Sequence, residues 1–238
     1  MGVSKLSSTH ALALPTSLVA LATLLVFQSS SSLAHGVADR DAQFLMENAG
    51  PAITEYAYLG AKHMVTGVDH LLFLAGVIFF LYRLKDVATY VTLFALGHSA
   101  TLLIGVLGGV HANIYLIDAL IGFSVAYKAF ENMGGFRVLD VHPNPKAAVA
   151  FFGLCHGFGL ATKLQSVALS PDGLVINIVS FNVGVEIGQI VALSAMLAVF
   201  VLWRKHGQFA KHAFAANWVL LTSGFLLMGF HLTGYVLA

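Results

Sequence analysis

Long apolar stretches alternate with short polar separators along most of the chain. The stretches 57–82, 87–106, 113–132, 147–165, 174–202 and 216–237 each approach or exceed the roughly 20 apolar residues that cross a bilayer as a helix. Between them lie YRLKD, GGVHAN, MGGFRVLDVHPNPK, SVALSPDG and WRKHGQFAKHA, which hold charges and turn-forming residues. The pattern predicts an all-α polytopic membrane protein with six transmembrane helices, following a cleavable signal peptide.

The signal peptide is expected over residues 1–34. Lys5 gives a basic start, ALALPTSLVALATLLVF is the apolar region, and QSSSSLA ends in small residues, with Ser32 and Ala34 at the −3 and −1 positions of a cleavage site. Residues 35–56 then form a short extracytoplasmic segment, and residues 57–238 the six-helix domain. Cleavage after Ala34 would make His35 the new N-terminus, where an α-amine beside an imidazole can chelate a metal.

Composition supports this class. Of 238 residues 58% are hydrophobic and 10% charged, against roughly 25% charged in soluble domains, and mean hydropathy is +0.84. The single Cys155 excludes an intrachain disulfide. A net charge of +1 without a basic patch gives no reason to expect a nucleic-acid partner. Lys and Arg set the orientation: Arg83, Lys85, Arg137, Lys146, Arg204, Lys205 and Lys211 fall in the first, third and fifth loops and none in the second and fourth, although Lys163 lies near the outer end of the fourth span. These odd loops are expected in the cytoplasm and the mature N-terminus outside, as in a bacterial inner membrane.

Candidate chemistry enters through residues that a bilayer normally excludes. His70, His98, His156 and Glu186 lie on the first, second, fourth and fifth spans. At 1.5 Å per residue each falls ~14–18 Å deep in a core ~30 Å thick. Asp69 adjoins His70, whereas Asp118 and His231 lie nearer the outer surface on the third and sixth spans. Helix–helix glue within membranes is commonly Ser, Thr or Asn, while clustered His and carboxylate mark ion or proton pathways. A nitrogen/oxygen donor set suits Ni²⁺, Co²⁺, Zn²⁺ or Cu²⁺.

The stretch HMVTGVDH, residues 63–70, concentrates this chemistry. Seven positions separate His63 from His70, placing them on one helix face but ~10.5 Å apart along a straight helix. Either Gly67 bends the helix, or the two histidines are successive stations on an inward path; the second alternative makes His63 an entry station. Asp69 points ~100° away from His70, and either fixes a histidine tautomer or faces another helix as a ligand. Asn182, Glu186 and Gln189 form a polar stripe on the fifth span, and Gly153 and Gly157 a G-x-x-x-G pair on the fourth.

These segments resemble the HupE/UreJ family, type 2 branch, of six-helix membrane proteins regarded as nickel or cobalt permeases. HMVTGVDH matches the family's H-x5-D-H signature, and FALGHSATL, IDALIGFSVAYKAFEN, FGLCHGFGLA and FNVGVEIGQ match in order over roughly residues 57–200. The resemblance implies metal-handling roles for His63, Asp69 and His70. A better characterised branch carries F-H-G-x-A/V-H-G-x-E in the fourth span. Here FFGLCHGFG keeps Phe151, Gly153, His156 and Gly157 but has Phe152 and Gly159 in place of the first His and the Glu. Glu186, with Asp118 and Glu131, is read as supplying carboxylates in their stead.

Three functions fit these residues. The first is non-ATP transport of a divalent transition metal, since no G-x-x-x-x-G-K-S/T loop is present. The second is an accessory protein that delivers metal to a partner metalloenzyme or assembly factor. The third is an intramembrane zinc hydrolase, against which stands the absence of H-E-x-x-H, H-x-x-x-H and G-x-S-x-G patterns.

Overall fold

The computed structural model describes residues 39–47, 50–167, 169–205 and 207–238. The signal peptide expected over residues 1–34 and the candidate ligand His35 lie outside the described residues. Among the described residues every regular element is a helix: α1 (Asp39–Glu47), α2 (Ile53–Thr66), α3 (Val68–Ile78), α4 (Leu84–Gly108), α5 (Ile114–Asn132), α6 (Gly135–Val138), α7 (Pro145–Ser166), α8 (Leu174–Lys205) and α9 (Phe209–Leu237).

Helix ends follow local chemistry. The Asn113 side chain accepts a hydrogen bond from the Leu116 N–H to start α5. Asn144 accepts from Lys146 and Ala147 to start α7, with Pro145 in the first turn, where its missing N–H costs nothing. Helix α9 begins at Phe209 rather than near residue 216. The sequence FAKHAFA is polar enough to read as loop, yet it contains no helix breaker and extends the helix beyond its most apolar part.

The largest departure from expectation is in the span expected over 57–82. The helix stops at Thr66, Gly67 takes an extended backbone (φ −69°, ψ 99°), and α3 begins at Val68. The Gly67 N–H still donates to the His63 carbonyl at 2.8 Å.

Four helices among the described residues, α4, α7, α8 and α9, are long and apolar enough to cross a membrane. Helix α5 carries Asp118, Lys128 and Glu131, and α2 with α3 is divided at Gly67, so neither has a comparable uninterrupted apolar stretch. Ile187, Ile190 and Val191 on α8, and Phe225 and Phe230 on α9, expose apolar side chains outward, as lipid contact requires. The chain is a helical multi-pass membrane protein.

The helices associate chiefly in three pairs that are distant in sequence: α2 with α8, α4 with α7, and α5 with α9. Small residues permit each approach, since hydrocarbon supplies little hydrophobic drive between helices. Gly60 and Gly184 let α2 and α8 touch backbone to backbone; Gly153 and Gly157 do the same for α7 against Phe94 and His98 of α4; Gly122 and Gly224 serve α5 and α9. The G-x-x-x-G pair expected on the fourth span therefore has a partner, α4. Helix α3 packs mainly on α5, and α5 also touches α7, whereas α8 touches α3, α4 and α9 sparsely.

One end of α8 is fastened. Arg204 donates to the carbonyls of Ile78, Phe79 and Leu81 at 3.0, 2.6 and 2.9 Å. It thereby satisfies acceptors that the end of α3 leaves open. Its guanidinium lies 4.4 Å from the Tyr82 ring centroid, while Phe79 packs on Phe200 and Trp203.

Candidate functional site

Breaking the helix at Gly67 folds HMVTGVDH back on itself. The His63 and His70 rings stand 5.1 Å apart between centroids, half of what a straight helix would impose. Of the two alternatives left by the spacing, the bend is the one observed, and His63 is not a remote station. It is half-buried, so it still marks the more accessible edge. The backbone angles at Gly67 suit any residue; what matters is space. A Cβ there would lie 3.0 Å from both His70 Nδ1 and the His63 carbonyl oxygen. Gly67→Ala is expected to keep the fold but push the His70 ring aside, lowering Ni²⁺ affinity of the purified protein about tenfold in titration calorimetry, a loss in the range caused by disturbing a ligand's support. Unchanged affinity would show that the ring position is not critical.

His70 is the hub. Its ring lies 5.6 Å from that of His98 on α4 and 4.8 Å from that of His156 on α7. Thus the histidines expected at one depth on the first, second and fourth spans do meet, and His63 joins them. Phe94 and Phe73 wall the cluster, each with its ring within 5.3 Å of His156. His70, His98 and His156 are at most 2% exposed.

Two tautomers follow from the contacts. His70 Nδ1 is 3.1 Å from Asp69 Oδ1, and a carboxylate only accepts, so Nδ1 carries the proton and Nε2 the lone pair. Likewise His156 Nδ1–H donates to the Phe152 carbonyl at 2.7 Å, which assigns its lone pair to Nε2. Asp69 therefore takes the tautomer-fixing position, behind a histidine rather than beside it, as in carboxylate–histidine–metal arrangements.

His98 is the anomaly. Among the described residues neither of its ring nitrogens has a hydrogen-bond partner, nor has Nε2 of His70. A buried polar group left unsatisfied costs about 1–3 kcal/mol, and such groups in native proteins call for an explanation. His98 also lies within electrostatic range of His63, Asp69, His70 and His156. Among the described residues no group of three or more His, Cys, Asp or Glu side chains is placed to hold a metal ion as it stands. Binding one would require side-chain rotation.

The other candidates fall elsewhere. Glu186 accepts from Ser99 Oγ at 3.0 Å, next in sequence to His98, and buried Gln189 donates to the Val91 carbonyl at 3.3 Å. The polar stripe on α8 thus faces α4. Asn182 lies partly buried on the same helix. Asp118 belongs to a second buried group: Lys163 Nζ is 2.9 Å from its Oδ1, and His231 Nδ1 is 3.7 Å from its Oδ2. Glu131 pairs with Lys128 at 2.6 Å. Asp118 and Glu131 thus each pair with a lysine, and His231 lies against Asp118.

Lys163 was overlooked as a site residue, because counting along the fourth span assigned it to the outer end. The signal available was the rule that a membrane-buried charge needs a partner. Gly159 touches the same region: a Cβ there would lie 2.8 Å from Ile121 Cδ1 and 3.6 Å from Asp118 Oδ1. A longer acidic side chain at this position would collide with α5 and face a like charge.

A helical multi-pass membrane protein with a buried histidine cluster between its helices is the class that fold and site define. A family-model comparison matches the HupE/UreJ protein family over residues 39–238. The chain belongs to that family, and the match extends beyond the 57–200 stretch that carried the sequence motifs. No curated protein and no solved structure matches the chain.

Proposed function

We propose that this protein carries a divalent transition-metal ion, Ni²⁺ or Co²⁺ before Zn²⁺ or Cu²⁺, across a bilayer through the histidine cluster. The HupE/UreJ family is associated with nickel and cobalt transport or with urease and hydrogenase maturation, which favours these ions. The observation that carries the reading is the meeting of His63, His70, His98 and His156 around His70, with His98 buried and without a hydrogen-bond partner on either ring nitrogen among the described residues. A passing ion is what such nitrogens lack. The need for rotation before ligation suits a transit site, since conduction demands binding weak enough to release.

In this reading the chain crosses the membrane six times: α2 and α3 together make the first span and α5 the third. The loop charges favour the Arg204 end of α8 on the cytoplasmic side of a bacterial membrane and the mature N-terminus outside. The cluster works as a permeation site and not as an enzyme centre.

The test is uptake of radiolabelled Ni²⁺ or Co²⁺ into proteoliposomes. The wild type is expected to fill them, and His98→Ala to reduce the rate at least tenfold. Stoichiometric binding without flux would instead indicate an accessory protein. Protons compete with metal for imidazole lone pairs. Uptake is therefore expected to weaken on acidification. Uptake that rises on acidification would contradict histidine ligation.

A further inference from the structure

The histidine cluster is divided between two packing units. Helices α2 and α8 form one, joined along Gly60, Gly184 and Gly188, with His63 against Phe181 at 6.3 Å inside it. Helices α3, α4, α5, α7 and α9 form the other, because α3 packs mainly on α5, and the α4–α7 and α5–α9 pairs meet through α5 and α7. His70, His98 and His156 all belong to this second unit.

Contact between the units is thin and uneven. Midway along α8 two polar contacts cross it, Ser99 with Glu186 and Gln189 with the Val91 carbonyl. At the end of α8 it is strong, through the three Arg204 hydrogen bonds and the packing of Phe79 on Phe200 and Trp203. The chain crosses between the units at three places: from α7 to α8, from α8 to α9, and at Gly67, which alone separates α2 from α3 and is the shortest of them. Two part-buried polar contacts hold less than three hydrogen bonds to one guanidinium at a helix end with aromatic packing around them.

We propose that α2 and α8 swing as one rigid pair about the Arg204 clamp, with Gly67 as hinge, parting His63 from His70 and opening the cluster toward the Leu174 end of α8. Glu186 and Gln189 are then latch residues that hold the closed form, and His63 is the one imidazole that travels. The inference rests on the proposed transport role for its purpose, but the motion itself is a property of the packing. Discontinuous helices with a site at the break, and rigid-body rocking of one bundle on another, are a recurring means of alternating access.

Electron spin-spin distance measurements on the full chain in lipid nanodiscs, in a Cys155→Ala background, test it. Three label pairs are introduced at exposed positions: Val175→Cys with Ile104→Cys across the units at the Leu174 end, Leu202→Cys with Leu84→Cys across them at the Arg204 end, and Ile104→Cys with Val236→Cys within one unit. The first pair is expected to show a second, longer population, while the other two stay narrow. Adding Arg204→Gln is expected to broaden the second pair alone. Three equally narrow distributions with and without Ni²⁺, or three that broaden together, would overturn the hinge. If the first pair shows two populations that Ni²⁺ leaves unchanged, the motion stands and the metal reading fails.

Discussion

His70→Ala is expected to reduce Ni²⁺ or Co²⁺ affinity by at least ~100-fold, the upper range for disturbing a metal ligand's surroundings, and to abolish proteoliposome uptake. His70 is the ring that touches His63, His98 and His156, so its removal separates the other three. Asp69 would also lose the imidazole it orients at 3.1 Å. Asp69→Asn is expected to do less, since an amide can still accept from Nδ1–H while its charge is gone. Calorimetry on protein in detergent checks affinity, and a folded, monodisperse elution profile checks that the cavity left by the ring is tolerated. A His70→Ala protein that binds and moves metal like the wild type would remove the hub from the account.

Lys163→Met is expected to destabilise the folded protein by about 3–5 kcal/mol, the cost of leaving one member of a buried ion pair without its partner. Both side chains are almost fully shielded, at 9% and 5% exposed for Lys163 and Asp118, and among the described residues the carboxylate would keep His231 at 3.7 Å. Replacing both at once, Lys163→Met with Asp118→Leu, is expected to recover most of the loss, because an apolar pair of similar size avoids desolvating two charges. Denaturation in mixed micelles measures both. A double variant as unstable as the single one would show that Asp118 is held by more than Lys163. If the recovered double variant still carries metal, Asp118 is a structural counter-ion and not a ligand.

Depth was legible in the sequence and direction was not. The rise of 1.5 Å per residue fixes how far His70, His98 and His156 lie along their helices, and the His98 and His156 rings lie 5.6 and 4.8 Å from that of His70. The same count put Glu186 at the right level, but which way its side chain points depends on how α8 is rotated, and this follows from Gly184 and Gly188 packing on α2. Glycine stripes on several helices do not say which pairs will join. The association of α2 with α8, and of α4 with α7, therefore had no sequence signal strong enough to assign it. The break at Gly67 was one of two readings because its purpose is room for the His70 ring, a tertiary fact. The Lys128–Glu131 pair is spaced i, i+3 on one helix and was locally readable; Lys163 with Asp118 joins different helices and was not. Residues 35–56 read in the sequence as a short extracytoplasmic segment, with nothing to mark α1 (Asp39–Glu47) or the reach of Lys62 to Asp41 at 2.7 Å.

The central claim is that metal passes among the four histidines. Locating the ion decides it most directly: crystals of the unchelated protein grown with Co²⁺, measured on both sides of the cobalt absorption edge. An anomalous peak is expected within coordination distance, ~2.0–2.3 Å, of Nε2 of His70 and of at least one nitrogen of His98 or His156. A peak confined to surface histidines such as His111 or His142, in a protein that still takes up Co²⁺, would contradict it.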